Sequence, residues 1–308
     1  MTALTRVTAA VLLLLTTLTA CGADFSGTRL RIAAGNDRGV YYQLAQPLAG
    51  AWAAGLAIER PEVQQTRGSP DNLARLRAGT ADVAFSAADV ATDPSGEPKL
   101  AALARIYDDY LHVVVRADSP VRSLADLRGR RVAIGSPESG VAVIAQLLLN
   151  ASGLGDPSSL TVRYLGLDES LGALERQEID AFFWSGGLPT NSISTLANRI
   201  PLRLIDVGEA MPAMRQANAV YRSATIPGST YPQSGGPVTT LVVPNFLVVP
   251  TTMSDDVAEA LTRGLFDARP ELAKANTAAL SIDLRPAIET APMALHPGAM
   301  RYYRNLKN

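Results

Sequence analysis

The stretch Gly35-Asn36-Asp37-Arg38-Gly39-Val40-Tyr41-Tyr42 holds the densest set of groups able to grip a small molecule. Gly35 and Gly39 allow close approach of a backbone, and the amides near Gly39 and Val40, at the start of a helix, favour an anion. Asn36 and Arg38 add side-chain donors beside them, and Tyr41 adds an aromatic wall with a hydroxyl. The stretch lacks the Gly-Lys-Ser/Thr of a Walker loop and the glycine spacing of a dinucleotide fingerprint. Taken alone it also reads as an ordinary strand-to-helix turn. Ser136, Ser139 and Gly140 form a second, hydroxyl-rich helix start that either meets a ligand or caps its own helix. Trp184 ends the run Phe182-Phe183-Trp184 before a glycine turn, and is the aromatic of that strand best placed to reach a cleft.

Catalytic patterns are scarce. His112 stands in an apolar strand and His296 before Pro297-Gly298, and a lone histidine in either setting reads as structural. Asp108 and Asp109 are adjacent, so their carboxylates diverge, and they read as a solvated turn. There is no Gly-x-Ser-x-Gly elbow and no His-Glu-x-x-His. The single cysteine, Cys21, forms neither an internal disulfide nor a thiolate metal cluster. The chain therefore reads as a binder rather than an enzyme, with no cofactor and no metal. A net charge of −1 supplies no basic surface for nucleic acid.

Cys21 has a different explanation. Arg6, an apolar run over 7–18 and Leu18-Thr19-Ala20-Cys21 have the layout of a secretory signal, and the last four residues resemble a lipobox. The expectation is a signal peptide over 1–20, a lipid on Cys21, a spacer over 21–27 and an extracytoplasmic body tethered to the membrane.

The elements that would position these groups alternate along 308 residues, enough for about two domains. A strand near Leu30 and Ile32 gives way to a helix carrying Val40, Leu44, Leu48 and Trp52 at helical spacing. Ser69-Pro70-Asp71 reads as a capped helix start, with Ser69 the cap and Pro70 at the first helical position. Strands are expected over 82–85, 111–116, 131–134, 160–165, 179–184 and 242–249, and helices over 140–149, 169–177 and 254–266. This alternation predicts an α/β fold of two lobes, each a mixed sheet flanked by helices. The segments 111–116 and 242–249 would cross between the lobes as a two-segment hinge. Lobe one would then comprise 28–115 plus 244–308, and lobe two 116–243. Loops 35–41, 86–89, 135–140 and 184–190 would converge on one cleft beyond the strand ends.

Several segments, in order, resemble one family. They are Ile32 to Ala45 with its Gly39-Val40-Tyr41-Tyr42, Arg67 to Asp82 with Ser69 and Asn72, Ser86 to Val90, Leu111 to Asp118, Ile179 to Phe183, Ala224 to Pro232 with Tyr231, and Leu295 to Tyr303. The chain resembles the TAXI group, the solute-binding subunits of tripartite ATP-independent (TRAP) transporters. The resemblance implies a type II periplasmic-binding fold that closes on a small organic anion or amino acid and delivers it to a membrane permease. It implies ligand contacts from Gly39 to Tyr41, Ser69, Asn72, Ser86, Ser139, Gly140 and Tyr231. Arg38 departs from the small residue usual in that family, and Val141-Ala142-Val143 after Ser139-Gly140 departs from the Thr-Arg or similar polar residues often found there. Arg38 would replace a carboxylate-gripping residue missing from lobe two. A sensor lipoprotein presenting its closed form to a membrane kinase is the alternative reading, and an exported hydrolase a third.

Overall fold

The computed structural model describes residues 24–37, 39–91, 99–232 and 235–306. The expected signal segment, Cys21 and Arg38 lie outside them. In chain order the elements begin with β1 (Arg31–Ala33), α1 (Val40–Leu56), β2 (Glu62–Gln64), α2 (Ser69–Arg77), β3 (Val83–Ala87), α3 (Ala88–Ala91) and β4 (Leu100–Arg116). There follow β5 (Arg131–Ala133), α4 (Gly140–Ala151), β6 (Thr161–Arg163), α5 (Leu167–Glu175), β7 (Ala181–Gly186), α6 (Asn191–Ala197), β8 (Leu202–Leu204), α7 (Met211–Ala217) and β9 (Arg222–Ile226). The chain ends with β10 (Val238–Pro250), α8 (Asp255–Asp267), α9 (Arg269–Ala275), α10 (Leu284–Ala287) and α11 (Pro297–Asn305).

The strands join in the order β2-β1-β3-β10-β4-β7-β5-β6, with β8 added to β4 and β9 to β10. Within each half the strands followed by helices pair in parallel, β1 with β2 and β3, and β5 with β6 and β7. The long strands β4 and β10 run antiparallel to each other and to their other neighbours, which makes the sheet mixed. Both are apolar along most of their length and buried, as strands covered on both faces must be. Tyr110 pairs with Val242 of β10 on one side and Gly186 of β7 on the other, so the two halves meet there.

Helices cover both faces. Trp52 of α1 is fully buried against α8, where its Nε1 donates to the Leu261 carbonyl at 3.0 Å. Gly264 permits this approach, since a Cβ there would lie 2.6 Å from the indole. Ser254 caps α8 by accepting from the Val257 amide at 3.3 Å, as the sequence suggests.

The expected solvated turn at Asp108-Asp109 is not formed. Both residues lie inside β4, opposite Pro244 and Val243. Neighbouring strand residues point to opposite faces, so Asp108 pairs with Arg105 at 2.8 Å while Asp109 turns into the protein and is 7% exposed. The strand expected over 111–116 begins at Leu100, because alanine-rich residues ahead of it pack as closely as Val or Leu would. β2 and β8, of three residues each, are too short to be seen by alternation, and β9 carries too few apolar residues.

Candidate functional site

A cleft of about 380 Å³ opens between the two halves of the sheet. From the first half come Asn36, Gly39, Val40 and Tyr41 at the start of α1, Arg67 to Ser69 at the start of α2, and Tyr107 and Asp109 from β4. The second half contributes Ser136, Ser139 and Gly140 at the start of α4, 166–169 at the start of α5, and Phe183 to Gly186 from β7. Four helices of at least nine residues thus begin at the cleft. The first-turn amides of a helix have no intrahelical acceptor and carry its positive dipole end, so their convergence favours a negative group.

The two halves lie close together at this point. Gly68 has φ +120°, a conformation reserved for glycine, and a Cβ added to it would sit 3.8 Å from the Gly140 nitrogen. Arg67 of the first half is ion-paired with Glu138 of the second at 2.6 Å across the cleft mouth. Gly135, at φ +95°, turns the chain into α4, where a Cβ would collide with Val141 at 2.8 Å.

Several polar side chains are tied into the walls. The Tyr41 ring stacks on Phe85 with centroids 5.3 Å apart, and its hydroxyl donates to Asn245 Oδ1 and lies 3.2 Å from Ser69 Oγ. Burial pushes the Tyr41 phenol well above its usual range, so it stays a neutral donor. Ser69 is not the cap of α2; Gly68 holds that position. The proline at Pro70 places Ser69 inside the first turn, and its hydroxyl instead accepts from the Ala87 amide at 3.0 Å. Ser139 does cap α4, accepting from the Ala142 amide at 3.2 Å and donating to the Ser136 carbonyl at 2.7 Å, while still lining the cleft. The Trp184 indole lines it as well, with Nε1 donating to Thr190 Oγ1 at 3.0 Å.

Three of the residues nominated from the sequence lie behind the walls. Asn72 is fully buried, donating to the Phe85 carbonyl at 2.7 Å and accepting from Thr66, which in turn accepts from the Gly35 amide at 2.9 Å. It braces the glycine loop from behind. Ser86 is fully buried and donates to the Ala87 carbonyl at 3.1 Å, because β3 runs directly into α3 and leaves no open loop over 86–89. Tyr231 is 1% exposed. His112 Nδ1 lies 2.8 Å from the Tyr110 carbonyl and must donate to it, so Nε2 is the acceptor and Tyr231 donates its hydroxyl there at 2.8 Å. The same hydroxyl oxygen accepts from the Thr190 amide at 2.9 Å. Burial lowers His112 to about 4, keeping it neutral.

The carboxyl of Asp109, expected in a solvated turn, lies at the cleft instead. Burial pushes the Asp109 carboxyl up to about 7, against the opposing hydrogen bonds from Asn245 and Tyr107. A polar residue inside an apolar strand was the available signal. Arg67 and the helix start at Gly166, where Glu169 reaches back to the Gly166 amide at 2.9 Å, were also missed. Among the described residues no group of three or more His, Cys, Asp or Glu could hold a metal ion, and no helix is long and apolar enough to cross a membrane. Among the described residues no hydroxyl that lines the cleft is hydrogen-bonded to a histidine.

A mixed sheet in two halves, helices on both faces and a cleft between them define a fold shared with type II periplasmic-binding proteins. The chain matches a protein of Xanthomonas citri bound to ATP at 17% identity and TM-score 0.54, covering 90% of this chain and 95% of that one. It matches the periplasmic aliphatic sulphonate binding protein of Escherichia coli at 14% and 0.51, covering 90% and 82%. A binding protein component of an ABC phosphonate transporter from Pseudomonas aeruginosa matches at 12% and 0.55, covering 81% and 78%. Residues 32–305 match the NMT1-like family, and the chain belongs to it.

Proposed function

We propose that this chain is an exported, lipid-anchored solute-binding protein that captures a small organic anion or amino acid and delivers it to a TRAP-type permease. The observation that carries the reading is the convergence of four helix starts, two from each half, on one cleft of about 380 Å³. A cleft of that volume suits a metabolite-sized ligand, and amides donated from both sides are bridged only when the halves close on it. Structural neighbours named for sulphonate and phosphonate binding support the solute-binding part. The TAXI resemblance of Gly39 to Tyr42 and of Leu295 to Tyr303 supports the TRAP part, and the Leu18-Thr19-Ala20-Cys21 signal supports the anchor. On this reading the lobes are 28–115 plus 244–308 and 116–243, hinged about β4 and β10. The ligand contacts are Asn36, Arg38, Gly39, Val40, Tyr41, Ser69, Ser136, Ser139, Gly140 and Trp184, with Asn72, Ser86 and Tyr231 behind them.

The test is thermal-shift screening of the purified protein against amino acids and mono- and dicarboxylates. A ligand at 100 times its Kd adds about 2.7 kcal/mol to the folded state, a visible rise in melting temperature. A panel without response removes the reading. Cys21→Ser, expressed in the native host, is expected to release the protein from the membrane fraction; unchanged membrane attachment would exclude the lipid anchor.

A further inference from the structure

We propose that Asp109 is the subsite for a protonated amine, so that the solute is an amino acid, its carboxylate on the helix starts and its ammonium on Asp109 and Ser185. This rests on the solute-binding reading above and narrows its ligand class. Asp109 lines the cleft, is 7% exposed, and its Oδ1 has no hydrogen-bond partner among the described residues. Buried carboxylate oxygens almost always have a donor, and Asn245 and Tyr107 already serve the rest of this carboxyl. Ser185 gives a second, independent sign. It lies on β7, the strand next to β4, lines the same cleft, and its buried Oγ is also without a partner. Two orphaned oxygens on neighbouring strands form the acceptor set that an ammonium, with its three donors, would fill.

The charges point the same way. The charged side chains lining the cleft among the described residues are Arg67, Asp109, Asp168 and Glu169. Arg67 is already engaged by Glu138 at 2.6 Å and by Asp71 at 3.5 Å. An amine-free acid would bring a second anion toward Asp109, whereas a zwitterion answers both the amides and the carboxylate. The titratable groups that act on Asp109 among the described residues are Tyr107, Asp108, Asp89 and Tyr41, none of them cationic.

The experiment compares matched pairs on the full-length chain in detergent: glutamate against glutarate, aspartate against succinate, alanine against propionate and valine against isovalerate. Thermal shift is followed by calorimetric titration on wild type, Asp109→Asn and Ser185→Ala. At least one amino acid is expected to bind, with its amine-free partner about 10- to 100-fold weaker, the scale of a charged hydrogen bond. Asp109→Asn is expected to lose that preference with its melting temperature at least as high as wild type. Ser185→Ala is expected to reduce the preference several-fold without touching the carboxylate pair. Equal affinity within every pair, or a preference unchanged in Asp109→Asn, overturns the assignment and leaves solute binding standing. Binding of neither set overturns both.

Discussion

Tyr231→Phe separates the two roles that position 231 could play. The hydroxyl donates to His112 Nε2 at 2.8 Å and accepts from the Thr190 amide at 2.9 Å, and the tyrosine and histidine are 1% and 0% exposed. Removing it deletes the bonds to His112 and to the Thr190 amide and strands an acceptor and a donor, at about 1–3 kcal/mol for each buried group left unsatisfied. Thr190 is only half-buried and recovers part of its share from water. The expected loss is therefore about 2–4 kcal/mol in urea unfolding, with the denaturant slope unchanged. Because Tyr231 is not among the cleft-lining residues, ligand affinity should change by no more than about threefold, through the Thr190 hydroxyl that holds Trp184. A stability loss under about 0.5 kcal/mol, or a large loss of affinity at full stability, would refute the buried-network account and return Tyr231 to the ligand site.

Other consequences can be read from the same geometry. Gly68→Val forces a β-branched residue into φ +120° and aims methyl groups at Ser139 and Gly140, so it should cost about 1–3 kcal/mol of stability and weaken solute binding, measured by melting and titration. Glu138→Gln removes an ion pair whose side chains are 56% and 63% exposed, so affinity should fall at most about fivefold, and less at high salt. His112 has its folded pKa lowered to about 4, so its share of stability is intact above about 6.5, the unfolded value, and is lost as pH falls from there toward 4. Asp109 acts in the opposite sense: its folded pKa is raised to about 7, so the unliganded protein loses stability as pH rises through the range from the unfolded value to about 7, and Asp109→Asn should raise the melting temperature more at about pH 8 than at about pH 5.

The alternation of strand and helix made the fold class legible, because each β–α unit carries its own punctuation: Gly35 before α1, Ser139 before α4 and Ser254 before α8. The same local signals located Val40, Tyr41, Ser139 and Trp184 at strand ends and helix starts, and the structure brings these to the cleft. What local signals miss is where a side chain goes once the strand is paired. Asn72 and Ser86 sit beside the cleft in sequence terms, yet one braces Thr66 and the other turns back on Ala87. Asp109 shows the converse. Its partners Asn245 and Tyr107 come from β10 and β4, and the register of Val243 opposite Asp109, which brings position 245 near position 109, exists only after the long strands have paired.

That register also explains why the cleft lies where it does. Moving across the sheet, β3 meets β10, β10 meets β4, and β4 changes partner at Tyr110, from Val242 to Gly186. Ligands of α/β sheets gather where the strand order reverses, since helices there diverge and leave their starts uncovered. Asp109 is the residue just before that change of partner, and Asn245 lies two residues along the other shared strand from Val243, which faces Asp109. A solute held by Asp109 at the floor and by the starts of α2 and α4 at the lip would thus touch the shared strand β4 and both halves at once. Its binding free energy would then bear directly on the angle between the halves, which is the coupling a closing receptor requires.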